Sequence, residues 1–167
     1  MSNPRMLIAV LPCLMITVLM TVPVAAQQRG APASPPGPTM AQALSALSAA
    51  RDAADGIGVR LSCAVVDSRG DLIALARMDG ARFFTTDVAR GKAALSAMFG
   101  QPSGSLGTFA SSPAFHAFNE TAQVPLYPFQ GALPVKNGDE TIGAMGCSGA
   151  SSQQDEDAVR AALDKFM

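Results

Sequence analysis

The sequence predicts an α+β domain built on one antiparallel sheet, and three observations carry that prediction. Two stretches, 61–77 and 131–147, each read as apolar runs folded back on a tight turn, the signature of a β-hairpin. Around them lie segments whose apolar residues recur at helical spacing. The resulting order, α-β-β-α-α-β-β-α, alternates hairpins with helices, which calls for antiparallel pairing and not a doubly wound parallel sheet.

The first helix follows Thr39, a good N-cap, and carries Met40, Ala43, Leu44, Leu47, Ala50 and Ala54 on one stripe. Gly56 and Gly58 end it. Leu61 to Asp67 is a strand, Ser68-Arg69-Gly70-Asp71 its turn, and Leu72 to Arg77 the returning strand. Thr85 or Thr86 caps the next helix, which runs to about Met98; Asp87 suits its first turn and Gly100 ends it. Its inner face is small (Ala89, Ala93, Ala97), so it can lie close to a sheet. Gly91 in the middle costs this helix about 1 kcal/mol against Ala, which points to close packing or close approach of a ligand. Ser103 caps a short helical piece, and Ser112-Pro113 opens a helix bearing Phe115, His116 and Phe118. Pro125 and Pro128 break the following segment; an extra strand near Tyr127 to Gln130 would bring the sheet to five. Gly131 to Lys136 and Glu140 to Cys147 flank Asn137-Gly138, the strongest hairpin turn in the chain. Ser152 with Asp155 resembles a capping box, and Val159, Leu163 and Phe166 give the last helix its apolar stripe. A two- or three-layer domain of PAS or profilin type, with about five strands, fits this order.

The first 26 residues stand apart. Arg5 is a short basic start, Met6 to Val24 is almost continuously apolar, and Val24-Ala25-Ala26 is a small-residue cleavage site. This is the layout of a secretory signal peptide, so the mature chain is expected in the periplasm or medium. Residues 27–39 are rich in Pro, Ala and Gly and read as a flexible leader, leaving 40–167 as one domain. Removing Arg5 leaves 11 of the 12 basic residues against 13 acidic ones, a net charge of −2. That balance offers no field for nucleic acid and no polybasic membrane patch, and no stable membrane insertion is expected after cleavage. Two cysteines survive cleavage, Cys63 and Cys147, both in predicted strands. A bridge between them needs the right register, so the reading taken is two buried thiols, with a disulfide as the alternative.

Several catalytic patterns nearly match and fail. Gly91-Lys92 has Thr86 where a phosphate loop needs glycine. Gly143, Gly146 and Gly149 are three apart, which is not the dinucleotide fingerprint. Ser148 sits one residue off a nucleophile elbow. One histidine and two scattered cysteines make no zinc site. What remains is a set of charged and small residues. Arg77 and Lys92, with Asp79 beside them, could meet a carboxylate at the rim of the first hairpin, or form surface pairs. Gly131, Gly146 and Ser148 could let a ligand lie on the backbone, or serve sheet packing. Seven of the eight phenylalanines lie between Phe83 and Phe129; Phe109, Phe115 and Phe118 surround the single His116 as an ordinary core or a wall for a flat cofactor.

The blocks DSRGDLIALARMDGA, GKAALSA, GALPVKNGDETIGAMGCSGA and DEDAVRAAL, in this order, resemble those of the GlcG/HbpS family of small heme-binding (heme-degrading) domains. The likeness runs from about Met40 to the C-terminus. It implies a sheet domain of the kind reached above, heme as cofactor, and dimers or larger homo-oligomers. Two departures stand out. Ala132 replaces the second glycine of the family's Gly-Gly before Pro134, and the first helix carries no histidine, although some relatives place a heme-ligating one near the domain's start.

If heme binds, His116 is the candidate iron ligand, being the only imidazole. Phe115 and Phe118 would stack on the porphyrin, and Arg77 or Lys92 would reach propionates; Gly131, Pro134, Gly146 and Ser148 complete the candidate set. Tyr127, Met78 and Met145 are fallback ligands. The leading expectation is thus an exported heme-binding protein that scavenges, stores or senses heme, with slow degradation as a possible addition. Two alternatives stay open. One is an enzyme or binding subunit for a small organic acid, held by Arg77, Lys92 and Ser148. The other is a ligand-free interaction module of an exported sensor system.

Overall fold

The computed structural model describes residues 37–166; the expected signal peptide and residues 27–36 lie outside them. Five helices, α1 (Met40–Gly56), α2 (Thr85–Phe99), α3 (Gly107–Ala110), α4 (Pro113–Thr121) and α5 (Ser152–Arg160), accompany four strands, β1 (Ser62–Asp67), β2 (Leu72–Arg77), β3 (Ala132–Asn137) and β4 (Glu140–Ser148). The sheet is antiparallel throughout, in the order β2-β1-β4-β3.

Local chemistry sets most boundaries where the sequence places them. Thr39 and Gln42 form a reciprocal capping box on α1. Pro38, assigned above to the leader, is buried against the domain: a side chain at Gly143 would come within 2.8 Å of its ring. The Asp67 carboxylate accepts from the Arg69 and Asp71 amides, at 2.8 and 3.0 Å, and so closes the first hairpin. Ser112 caps α4, accepting from the Phe115 amide at 3.1 Å, with Pro113 at the first helical position.

Several expectations need correction. The fifth strand near Tyr127 is absent, because the backbone there bonds to side chains. Leu126 donates to and accepts from the Asn119 amide, and Phe129 O accepts from Ser103. Neither Thr85 nor Thr86 caps α2; both hydroxyls donate backward, to Arg82 O and Phe83 O. The α5 capping box is Ser151 with Gln154, one residue earlier than expected, because Ser151 is the last extended residue. The predicted stripe of the last helix is divided, since α5 ends at Arg160 and Leu163–Phe166 forms a separate 3-10 turn.

The sheet separates two packing layers. Cys63, Val65, Leu133, Val135, Met145 and Cys147 point toward α1 and α5. Val66 and Ala144 point the other way, onto Ala93 and Ala97 of α2. The far side of α2 is covered in turn: Ala94 and Leu95 pack with Leu106, Phe115 and Leu126. Cys63 and Cys147 stand opposite each other in the β1–β4 register and are joined as a disulfide, which corrects the reading of two free thiols.

Candidate functional site

Gly91 organises one side of α2. A Cβ there would lie 2.1 Å from Pro125 O and 2.6 Å from the Tyr127 ring. The close approach expected at this glycine is therefore made by the chain itself, as segment 122–127 runs over the helix. Clefts open along that segment. One, of about 380 Å³, lies between the β1–β2 turn, α2 and α4; Met98, Phe118 and Val124 form its apolar wall, and Arg69 and Arg90 bring guanidinium groups. A second, of about 320 Å³, shares Arg90, Gln123 and Val124 with the first and adds Asp87 and Tyr127. A third, of about 350 Å³, is lined by His116, Asn119, Glu120 and Pro125 and shares Ala122 with the first. These openings have the size and the mix of apolar wall and few charged groups that suit a small ligand.

The nine sequence-predicted residues fall into three groups. Phe115, His116 and Phe118 stay together on α4. Phe115 is buried beside the His116 ring at 6.5 Å and stacks edge-on with Phe109, while Phe118 meets Phe99 edge-on at 6.4 Å and faces the first cleft. His116 opens instead into the third cleft.

Lys92, Gly131, Pro134 and Gly146 form the second group, on the sheet side of α2; Lys92, Gly131 and Gly146 are buried and Pro134 is half-buried. Lys92 donates to Asp155 Oδ2 at 2.9 Å and to Cys147 O at 3.2 Å, with the two side chains only 3% and 4% exposed. A side chain on Gly131 would strike Lys92 Nζ at 2.7 Å, and one on Gly146 would strike Ala89 O, also at 2.7 Å. Ala132 and Pro134 pair across from Gly146 and Ala144. The carboxylate that meets Lys92 is thus the protein's own. Burial pushes the Asp155 carboxyl above its ordinary value of 3.8; the amides of Ala150 and Gly149 and the Lys92 ammonium pull the other way.

Arg77 and Ser148 form the third group. Both lie opposite Ser62 in register, one on each side, with Arg77 exposed and Ser148 buried. Ser62 is engaged with Thr85 at 2.8 Å. Of the fallback ligands, Tyr127 lines the second cleft, Met145 is sealed in the core, and Met78 accepts from the Leu61 amide beside a separate opening near Asp79. Sequence reasoning missed Arg69, Arg90 and Met98. The one local signal was Arg90 beside a helix-interior glycine, a cation where the backbone must be closely approached.

Fold and clefts define a small α/β/α domain with ligand-sized openings along α2, α4 and segment 122–127. The chain belongs to the family described as haem degrading protein HbpS-like, whose model matches residues 39–164. Solved structures agree. Protein ORFY of Klebsiella pneumoniae is 32% identical, with a TM-score of 0.69 over 77% of this chain and 89% of that one. A double mutant of HbpS from Streptomyces reticuli is 26% identical, with a TM-score of 0.68 over 78% and 88%. The structure of a PduOC–heme complex shares the fold at 22% identity, with a TM-score of 0.65 over 73% and 89%.

Proposed function

We propose that this chain is an exported heme-binding protein that scavenges, stores or senses heme. The observation that carries the reading is the HbpS-like match across residues 39–164, essentially the whole described domain. The residues of the first cleft fit the group in kind. Met98, Phe118 and Val124 offer a face for the macrocycle, Arg90 offers a cation to a propionate, and the His116 imidazole lies in the adjoining opening. Bound heme would supply redox and oxygen chemistry of its own, while the protein supplies the wall, the charges and an iron donor. Export is supported by Arg5, the apolar run Met6 to Val24 and the Val24-Ala25-Ala26 site, and independently by the Cys63–Cys147 disulfide, which suits an oxidising compartment. Self-association is part of the proposal: Leu72 and Leu75 on the edge strand β2, and Phe83 and Phe84 just beyond it, are all exposed.

Hemin titration tests the reading. The wild type is expected to give a Soret band, and His116→Ala is expected to shift that band and weaken binding. An unchanged band in His116→Ala moves the iron ligand to another side chain. No hemin binding by the wild type removes the function.

A further inference from the structure

The Nε of Arg90, a half-buried residue, is the one buried polar side-chain atom without a partner among the described residues. Its Nε is shut off from solvent and makes no hydrogen bond, and no ion pair involves its guanidinium there. Native interiors seldom leave such a donor unmet, and an unmet one calls for a ligand or a water. The surroundings favour a ligand. Arg90 lines both the first and second clefts, so its side chain lies where the two openings meet. The other two charges of the first cleft, Arg69 and Asp71, pair with each other at 3.3 Å. Opposite these polar groups stands the apolar wall of Met98, Phe118 and Val124.

We propose that this cleft is a carboxylate site in which Arg90 is the anchor, and that it takes an acid with an apolar body. A guanidinium that makes no hydrogen bond among the described residues can turn its Nε and one Nη toward a carboxylate and bind it through two parallel N–H···O bonds, which a point charge cannot copy. The apolar portion of the acid covers Met98 and Phe118. The site relocates the expected carboxylate chemistry, since Lys92 already holds Asp155. Its existence stands on Arg90 and the cleft; only one possible source of the acid, a heme propionate, rests on the heme reading. The other source is a free organic acid.

The test uses the mature chain, its Arg90→Met and Arg90→Lys variants, and four probes: hemin, hemin dimethyl ester, hexanoate and benzoate. Spectral titration reads the porphyrins and thermal shift reads the acids. Arg90→Met is expected to weaken its carboxylate partner by about tenfold or more, with Arg90→Lys between it and wild type. Loss against hemin but not against its dimethyl ester identifies the propionate as the source. Stabilisation of the wild type by hexanoate or benzoate, lost in Arg90→Met, identifies a free acid, and this outcome stands even where the wild type binds no hemin. Hemin and acid responses equal in wild type and Arg90→Met overturn the site while leaving the heme reading intact. A wild type that responds to neither hemin nor the acids overturns both. Should Arg90→Met fail to fold, Arg90→Lys carries the same comparison, since it keeps the charge and loses only the fork.

Discussion

Lys92 and Asp155 are joined across 63 residues and nearly sealed from water, so each is the other's main compensation for losing hydration. Removing one partner of such a pair typically costs about 3–5 kcal/mol, because the survivor stays buried and unpaired. Lys92→Met is expected to lose about that much in urea denaturation. Adding Asp155→Asn should restore part of it, with a coupling of roughly 0.5–3 kcal/mol. Strictly additive losses would show that the pair does not act as one. The pH dependence has a definite sign. The folded state holds the Asp155 proton above the ordinary 3.8, so its contribution is full below that value and falls as pH rises through the raised one. Wild-type stability relative to Asp155→Asn should therefore decline as pH rises from the ordinary 3.8 through the raised value. A rise over the same window would mean that attraction to Lys92 outweighs burial. Lys92 was legible as a charge that could meet a carboxylate, but the carboxylate it meets was not. No local pattern joins the two residues, and Asp155 read as a cap until Ser151 and Gln154 took that role.

Helix α2 shows how far local signals reach. Its Gly100 end, its Ala face and both flanking hairpins were legible because turn residues and periodicity act within a few positions. The missing fifth strand was not, since Asn119 and Ser103 claim the backbone of 126–129 through bonds that no pattern announces. Gly91 was legible as an approach site, though not what approaches. Ala at this position would improve helix propensity by about 1 kcal/mol. Its methyl would stand 2.1 Å from Pro125 O, a backbone atom that no rotamer change can move. Overpacking of this kind costs roughly 1–3 kcal/mol, so Gly91→Ala is expected to be net destabilising by up to about 2 kcal/mol. It should also alter hemin binding, because segment 122–127 borders the clefts. A Gly91→Ala protein more stable than wild type in urea would show that the segment shifts freely away from α2.

The molecule as a whole is closed by its disulfide. β1 and β4 neighbour each other in the sheet, yet Cys63 and Cys147 are 84 residues apart in the chain. Both cysteines were legible as strand residues. Whether they meet depends on which hairpin edge pairs with which, and each hairpin satisfies its own turn whichever neighbour it takes. With β1 beside β4 the two face each other in register, and the bond spans the two hairpins. Such a link removes conformations from the unfolded chain; losing it typically costs about 2–5 kcal/mol, or on the order of 10 °C in melting temperature for a domain of this size. If the chain is exported as proposed, export and stability are coupled, because an oxidising compartment favours the bond. Protein recovered after export is expected to begin at or near Gln27, to have lost Cys13 with the signal peptide, and to show no free thiol. The same domain made in a reducing cytosol should titrate two thiols and melt lower. A Cys63→Ala/Cys147→Ala variant should melt low from either source, since it removes the only difference the compartment creates. Equal melting of exported and cytosolic wild type, with two free thiols in the exported form, would dissolve the link between where this chain is sent and how its sheet is held.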